Sequence, residues 1–343
     1  MSIVTFAQVF HTLQDPKADH PAAVRAAFDA ILAGEWTPVQ VAGLAVALRM
    51  LGERPEVIAA AAGSLRAAMV PVLHGLPAVL DTCGTGGDGL STWNVSTAAA
   101  LIVAGAGVPV AKHGNRAVSS RSGSADVLEA LGVPLDVPPE RQVDVLRAAG
   151  ICFLFAPAHH PAMKHGGIAR RELGIRTVFN ALGPLANPAK ATHQLLGAYD
   201  DALRPVLART LSQLGTRAAW VVRGEDGLDE VSPVAPTRVS VLRDGEIEER
   251  VVTPEDFGLP RLDPAALRGG DATESAAMIR EVVAGAPHPA RDAVVLNAAA
   301  ALVVATGDTP TQARDRAESS LREGRAARAL DAMITAARAA RGV

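Results

Sequence analysis

The spacing of apolar residues changes at about residue 78. Before this point, segments 24–36 and 39–52 carry apolar residues at helical spacing, and Thr37 followed by Pro38 is typical of a helix start. Beyond it, short apolar runs alternate with segments of helical spacing. Such alternation is typical of a parallel sheet covered by helices on both faces. The sequence therefore predicts an α/β protein in which helices precede the sheet.

Five apolar runs are the predicted parallel strands. They are AVLD (78–81), VPVAKHG (108–114), ICFLFAP (151–157), HQLLGAY (193–199) and RAAWVVRG (217–224). The segment 237–252 is predicted to be a β-hairpin that turns at Asp244 and Gly245. From about residue 272 the chain returns to helical spacing, and its Ala/Arg-rich last part is predicted to be a packed amphipathic helix.

A polar loop follows four of the predicted strands. The loops are CGTGGDG (83–89), KHGNRAVSSRSGS (112–124), HHPAMKH (159–165) and GEDGLDE (224–230). In an open parallel sheet, ligands bind outside the carboxyl ends of the strands. We therefore expect the four loops to form one site.

The glycine-rich loop 83–89 has the composition of a phosphate cradle. Glycines let backbone N–H groups approach phosphate oxygens, and the helix that follows adds further donors. Ser96 and Thr97 then either cap that helix or bind a phosphate or a metal ion. The loop also matches the dinucleotide pattern G-x-G-x-x-G, but the next strand ends in Lys112 and His113 where a nicotinamide site needs an acidic residue.

The loop 112–124 is predicted to bind an anion. It combines the cations Lys112, Arg116 and Arg121 with four serines and two glycines. Lysine offers a compact charge to a phosphate, and arginine offers planar bidentate donors.

Two adjacent carboxylates, Asp229 and Glu230, are predicted to face this cationic loop. Beside a bound polyphosphate they would form a magnesium site, because Mg²⁺ takes a few carboxylates together with waters and substrate phosphates. A metal, or a sugar hydroxyl that donates to the carboxylate, would also explain why Asp88 lies within a phosphate cradle. The predicted ligand thus carries phosphates, hydroxyls and Mg²⁺, as a phosphorylated sugar diphosphate does.

Composition narrows the class of protein. The chain has 343 residues and a net charge of −3, which argues against nucleic acid as the main partner. The two cysteines, Cys83 and Cys152, form no disulfide framework. The first residues lack the features of a signal peptide, and no apolar stretch is long enough to cross a bilayer. We expect a cytoplasmic protein without a membrane partner.

Six motifs, in this order, resemble those of the anthranilate phosphoribosyltransferase family: GTGGDG, NVST, KHGN, SSRSGSADVLEALG, RTVFNALGPLANP and GLDE. The likeness extends over nearly the whole chain. It implies a small helical domain over 1–72, joined by helices from about 165–190, and a larger domain over 73–343. The larger domain would have a mainly parallel central sheet flanked by helices, as in nucleoside phosphorylases and phosphoribosyltransferases.

The resemblance also implies the reaction and its partners. Phosphoribose would pass from 5-phosphoribosyl 1-pyrophosphate (PRPP) to the amine of anthranilate, with release of pyrophosphate, in tryptophan biosynthesis. Two Mg²⁺ ions would take part, one of them with the pyrophosphate. The protein would be a homodimer through its helical part. No general base is required, because an aromatic amine is largely unprotonated at pH 7.

Site residues are carried over position by position. For PRPP the resemblance implies Gly84, Gly87, Asp88, Thr92, Asn94, Val95, Ser96, Thr97, Lys112, His113, Gly114, Asn115, Arg116, Ala117, Val118, Ser119, Ser120 and Ser124. For anthranilate it implies Gly84, His113, Asn115, His160 and Arg170, with Arg170 pairing with the carboxylate. For the metal ions it implies Ser96 for one and Asp229 with Glu230 for the other.

Three other functions compete with this interpretation. A pyrimidine-nucleoside phosphorylase resembles the same architecture, but Arg170 and the KHGN motif favour anthranilate. A non-catalytic relative that binds nucleic acid is disfavoured by the acidic net charge and by the intact Asp229–Glu230 pair. A nicotinamide dehydrogenase lacks its acidic strand-end residue.

Overall fold

One seven-stranded sheet lies at the centre of the computed structural model, which describes residues 4–86, 89–90, 92–117 and 121–342. The strands are β1 (Leu80–Gly84), β2 (Val110–Gly114), β3 (Ile151–Phe155), β4 (His193–Gly197), β5 (Ala218–Gly224), β6 (Thr237–Arg243) and β7 (Glu246–Val252). Their order is β3-β2-β1-β4-β5-β6-β7. Neighbours from β3 to β5 are parallel, whereas β6 and β7 are antiparallel. The mainly parallel sheet predicted from the sequence is confirmed.

Helices account for most of the remaining described chain. They are α1 (Phe6–Gln14), α2 (His20–Leu32), α3 (Pro38–Leu51), α4 (Pro55–Ala68), α5 (Val95–Gly105), α6 (Ser124–Ala130), α7 (Gln142–Ala149), α8 (Ala156–His159), α9 (Lys164–Leu173), α10 (Val178–Leu185), α11 (Leu203–Gln213), α12 (Ala272–Val283), α13 (Arg291–Thr306), α14 (Pro310–Arg322) and α15 (Arg325–Ala340). The predicted helix start is confirmed, since the Thr37 side chain accepts from the Gln40 N–H and Pro38 is the first helical residue. The amphipathic final helix is confirmed as α15.

Alternate residues of the central strands pack against different helix layers. Leu195 and Trp220 belong to the core that α5 and α12–α15 cover. Leu196 and Val221 belong to the core on the opposite face, which extends into α1–α4 and α9–α11. Because side chains alternate along a strand, each apolar run supplies both cores and the sheet is buried on both faces.

The N-terminal helices pack together with a later part of the chain. α2 contacts α4, α3 contacts α9, and α10 contacts both α3 and α4. One apolar core joins these helices, for example through Phe28 of α2 and Phe179 of α10, whose ring centroids lie 5.4 Å apart. The division of the chain after residue 72 stays a prediction.

The predicted hairpin is confirmed. β6 and β7 pair along their whole length, and Asp244 and Gly245 between them have φ values of 49° and 91°. Two successive positive φ angles are the geometry of a type I′ turn, which matches the twist of the strands. Most of β7 is exposed, so its charged residues lie on a solvated face.

The strand order places a switch point beside β1. The chain runs from β1 outward to β2 and β3, and then returns to β4 on the other side of β1. Ligands in such sheets bind in the crevice at this point, outside the carboxyl ends of the strands. Here the crevice opens where Gly84 of β1 pairs with Gly197 of β4.

No single helix among the described residues has the length and apolar composition needed to cross a membrane. The helices α13 and α14 meet these two criteria only as a pair, and the pair is bent by 116°.

Candidate active site

Lys112 lies at the floor of the crevice, in β2. Its ammonium donates to the carbonyl oxygen of Thr82 in β1, and it lies 3.4 Å from Oγ of Ser96 at the start of α5. The side chain is buried. Burial lowers the pKa of Lys112, whereas the carboxylates of Asp81 and Glu230 act in the opposite direction. A buried cation is therefore directed toward the start of α5.

The predicted metal ligands lie together above Lys112. Glu230 Oε1 accepts from the backbone N–H of Ser96 at 3.2 Å, and Asp229 Oδ2 accepts from the N–H of Gly86 at 3.1 Å. A Cβ atom on Gly84 would lie 2.7 Å from the same Asp229 oxygen, so a larger residue there would displace this carboxylate. The acidic loop after β5 thus closes over the glycine-rich loop after β1.

This donor set fits a magnesium ion that is shared with a substrate. Ser96, Asp229 and Glu230 offer oxygen ligands from two converging loops. Among the described residues no group of three or more His, Cys, Asp or Glu side chains could hold a metal alone. Mg²⁺ usually takes only one or two carboxylates and completes its shell with waters and phosphate oxygens.

Asn94 connects the first two loops. Its Oδ1 accepts from the hydroxyl of Ser122 at 2.8 Å. Val95 begins α5, so Ser96 and Thr97 lie in the first helical turn and do not cap it. The hydroxyl of Thr97 is buried without a hydrogen-bond partner in the described part of the chain. Thr92 forms an isolated bridge with Arg268, which fastens the glycine-rich segment to the region before α12.

Asp126 fixes both ends of the second loop. Its Oδ2 accepts from the N–H groups of Ala117, at 2.9 Å, and Gly123, at 3.0 Å. Burial acts against the charged form, but these N–H groups and the Arg116 guanidinium hold the pKa of Asp126 below its usual range. Asn115 Oδ1 accepts from the Arg116 N–H at 2.8 Å, and a Cβ on Gly114 would clash with the Ser124 hydroxyl. The loop is therefore tightly folded at both ends.

The three predicted cations of this loop do not act together. Arg116 is paired with Asp126 at 3.0 Å and with Glu129 at 2.7 Å, and these carboxylates compete with any bound anion. Arg121 lies 3.5 Å from the carbonyl oxygen of Gly269. Only Lys112 among the three contacts the start of α5. The sequence could not show this, because the pairing depends on the direction of each side chain.

Two predicted anthranilate residues lie side by side. The ring centroids of His113, from β2, and His160, after β3, are 5.1 Å apart. Burial, and then the neighbouring histidines, lower the pKa of His113 to about 3. Burial and His159 lower the pKa of His160 to about 4, although the Ala186 backbone acts in the opposite direction. Both rings are neutral at pH 7.

Arg170 approaches the same place from α9. Its guanidinium carbon lies 5.7 Å from the ring centroid of Phe179 in α10. The Gly183 carbonyl, which accepts from His113, follows one helical turn later on the same helix. Arg170 remains exposed and forms no ion pair with a described residue, while partial burial lowers its pKa. It is available to pair with a carboxylate.

A buried polar cluster beneath the site was not predicted. Asp81 accepts from the His113 N–H at 3.1 Å and from Nδ2 of Asn187 at 2.8 Å. Gln194 donates to Sγ of Cys83 at 3.1 Å. Burial raises the pKa of Asp81, and Lys112 is the largest opposing influence. The only sequence signal was a charged residue inside an apolar strand, directly before the glycine-rich motif.

Five predicted site residues lie outside the described residues. They are Gly87, Asp88, Val118, Ser119 and Ser120.

Fold and site together define a two-part glycosyl transferase. The family model "Glycosyl transferase family, a/b domain" matches residues 76–327, and "Glycosyl transferase family, helical bundle domain" matches residues 19–69. Among individual proteins, the anthranilate phosphoribosyltransferase of Moorella thermoacetica is 52% identical over 309 residues, which are 90% of this chain and 91% of the relative.

Two solved structures are similar throughout. The anthranilate phosphoribosyltransferase from Thermus thermophilus has a TM-score of 0.90 and 42% identity, over 96% of this chain and 99% of that one. The enzyme from Saccharomyces cerevisiae in complex with PRPP and Mg has a TM-score of 0.90 and 30% identity, over 98% and 99%. The chain belongs to the anthranilate phosphoribosyltransferase family. The family, the fold class and the enzyme class predicted from the sequence are confirmed.

Proposed function

We propose that the crevice between β1 and β4 is where this chain transfers phosphoribose from PRPP to the amine of anthranilate, with release of pyrophosphate, in tryptophan biosynthesis. One arrangement carries the proposal. The Ser96 N–H, bonded to Glu230 at 3.2 Å, and the ammonium of Lys112, 3.4 Å from the Ser96 hydroxyl, meet at the start of α5. A cation, hydroxyl and carboxylate at one helix start suit a magnesium-bound polyphosphate.

We assign PRPP to the two loops that meet at Asn94. Phosphate oxygens would accept from Lys112 and from N–H groups of the glycine-rich and second loops. Ser96, Asp229 and Glu230 would hold magnesium, with two ions as the expected number. When bound, magnesium neutralises the negative charge that the departing pyrophosphate gathers. Lys112 adds a fixed positive charge in a site where little water screens it.

We assign anthranilate to the place where His113, His160 and Arg170 approach α10. Arg170 would pair with the carboxylate in a bidentate contact. The neutral rings of His113 and His160 would contact the aromatic ring and its amine. Gly84 and Asn115 complete the proposed acceptor site. The carboxylate would be held at α9 while the amine faces the sheet.

Catalysis would then depend mainly on positioning. The β1–β4 crevice brings the PRPP loops and the acceptor groups to one edge of the sheet. Holding two reactants in a reactive geometry can supply on the order of 7–11 kcal/mol of the barrier. The chain's own contribution is to orient C1 of the ribose toward the amine and to exclude water from between them.

We further propose a homodimer through the helical part, in the cytoplasm. Val39, Val46 and Met50 lie on one face of α3, at helical spacings of seven and eleven residues. Val39 is 81% exposed and Met50 82% exposed. A second copy that covers this face would remove apolar surface from water.

Anthranilate fluorescence provides the test. The wild-type protein is mixed with anthranilate, PRPP and Mg²⁺, and each component is omitted in turn. We expect a loss of fluorescence that needs all three and that becomes much slower in Arg170→Ala. No consumption of anthranilate by folded wild-type protein would contradict the proposal; phosphorolysis of thymidine or uridine would then be measured.

A further inference from the structure

The tautomer of His113 is fixed by one contact. Nδ1 lies 3.1 Å from the carbonyl oxygen of Gly183. A carbonyl oxygen can only accept, so Nδ1 carries the proton of the neutral ring. Nε2 therefore keeps its lone pair and is an acceptor.

This acceptor has no protein partner. Nε2 of His113 is buried and without a hydrogen bond among the described residues. A buried unsatisfied polar atom costs free energy, and in native structures it calls for an explanation such as a catalytic role or an ordered water. Here the atom belongs to a residue of the proposed acceptor site, which favours a role toward a substrate.

His160 is the aromatic neighbour of His113 in the proposed acceptor site. Its ring packs against that of His113, with centroids 5.1 Å apart and planes tilted by 54°. Neither nitrogen of His160 has a hydrogen-bond partner within the described part of the chain. Among the described residues, the Ala186 backbone is the one group that acts on this ring by hydrogen bonding, and it does so outside good hydrogen-bond geometry.

We propose that Nε2 of His113 accepts the proton that the anthranilate amine loses when its nitrogen bonds to C1 of the phosphoribose. In this step the nitrogen lone pair forms the N–C1 bond. The C1–O bond breaks, and its electron pair leaves with pyrophosphate. The N–H proton passes to Nε2, while Nδ1–H remains on Gly183; the ring returns its proton to solvent after product release.

The basicity of His113 suits this role. Burial, followed by the charges of His160, His159 and Lys112, lowers its pKa to about 3, whereas the hydrogen bond to the Gly183 carbonyl acts in the opposite direction. The neutral form, which can accept a proton at Nε2, is therefore present throughout the neutral pH range. The nitrogen of an aromatic amine becomes markedly acidic once it gains a fourth substituent, so a weak acceptor is sufficient. General-base assistance typically contributes 10²–10⁴-fold. For so weak an acceptor we expect about 10²-fold.

The inference rests on the proposed acceptor site. Two substitutions of His113 separate the role of Nδ1, which donates to Gly183, from the role of Nε2, which accepts the proton. In His113→Asn the side-chain amide can still donate to Gly183, but nothing occupies the position of Nε2. In His113→Gln an amide oxygen can reach that position and accept a hydrogen bond, yet it does not take up a proton. His193→Asn is the matched control, since His193 begins β4 at the opposite edge of the sheet.

The single-turnover rate at saturating substrates and the KM for each substrate are measured. We expect the rate to fall about 10²-fold in both His113 variants and to stay within twofold in the control. The KM for PRPP should change little. The KM for anthranilate should rise in His113→Asn and recover in His113→Gln.

A second readout separates proton transfer from packing. Fluorine substituents on the anthranilate ring lower the basicity of the amine with little change in size. Without a proton acceptor the nitrogen carries more positive charge in the transition state, so the rate should depend more steeply on amine basicity in the variants. A rate within threefold of wild type in His113→Gln, or an unchanged dependence, would overturn the inference and favour pyrophosphate as acceptor.

Failure of the inference is distinct from failure of the proposed function. If the wild type does not consume anthranilate, the function itself is wrong. If the wild type is active and His113→Gln is equally active, only the proton acceptor is wrong. Should His113→Asn not fold, His113→Gln alone decides between these outcomes.

Discussion

Asn187 donates a hydrogen bond from Nδ2 to Oδ2 of Asp81 at 2.8 Å, and both side chains are buried beneath the crevice. The same Nδ2 also donates to the carbonyl oxygen of Ala111 at 2.8 Å. Asp81 in turn accepts from the His113 N–H. The pair therefore connects β1 with β2, the strand that carries Lys112 and His113. We infer that it holds both side chains in place.

Replacement of Asn187 by leucine should be strongly destabilising. The substitution keeps the volume roughly constant but leaves the Asp81 carboxylate with one partner fewer. Leaving a buried acceptor without its hydrogen-bond partner costs about 1–3 kcal/mol, and the charge of Asp81 places the loss toward the upper end. We expect the free energy of unfolding in urea at pH 8 to fall by about that amount.

The pH dependence of this loss identifies its cause. Burial raises the pKa of Asp81, and removal of Asn187 removes a contact that lowers it. A group whose folded pKa is raised stabilises the protein at low pH and loses that contribution as pH rises. The difference between Asn187→Leu and wild type should therefore be smaller at pH 5 than at pH 8. Asn297→Leu, which breaks only bonds to backbone groups, should show no such change.

Gly84→Ala should weaken the site without unfolding the protein. The added Cβ would lie 2.7 Å from Oδ2 of Asp229, so this carboxylate must move. We expect the KM for PRPP and the Mg²⁺ concentration for half-maximal rate to rise severalfold. Gly167→Ala, where a Cβ meets no atom within 4 Å, is the control. Equal Mg²⁺ dependence in both variants would contradict the assignment of Asp229.

The sequence predicted the parts of the site that lie in local motifs. The glycine-rich loop and the Asp229–Glu230 pair each follow a recognisable strand, Lys112 lies in one, and the parallel sheet brings strand ends to one edge. The crevice between β1 and β4 depends on strand order, which follows from how helices cover the two faces. The strand order is a property of the packed chain, so the spacing of apolar residues along the sequence could not predict it.

The sequence could not predict contacts between residues that lie far apart along the chain. Asp81 and Asn187 are 106 positions apart, and Cys83 and Gln194 are 111 apart. Local patterns carry no information on such pairs. Arg116 shows a second limit of prediction from sequence. The sequence analysis assigned its positive charge to the anion site, whereas in the structure the side chain is paired with Glu129 on α6. The number of charged residues in a segment identifies a candidate binding loop. Which of those residues can contact a ligand depends on the direction of each side chain.

Association through α3 predicts that Met50→Lys yields a monomer. Met50 is 82% exposed, and a lysine in the centre of an apolar interface would have to be desolvated. Light scattering after gel filtration should give the mass of two chains for wild type and of one chain for the variant. Val251→Lys, at an exposed apolar position on β7, should leave the mass unchanged. A wild-type monomer at micromolar concentration would contradict the proposed dimer.

Acid should destabilise the protein through the two neighbouring histidines. The folded pKa of His113 is about 3 and that of His160 about 4, whereas an unfolded histidine has a pKa of about 6.5. Between these values the unfolded chain binds protons that the folded protein excludes. Stability is therefore complete above pH 6.5 and declines as pH falls toward the folded pKa values.

The size of this effect can be isolated with a double variant, His113→Asn with His160→Asn. From pH 7.5 to pH 5 each wild-type histidine should cost roughly 2 kcal/mol of unfolding free energy. Asp81 acts in the opposite direction, but it is present in both proteins and cancels in their difference. Urea unfolding should show that the wild type loses about 4 kcal/mol more than the double variant over this range. Parallel stability curves would mean that the two rings are not held neutral by burial in the folded protein.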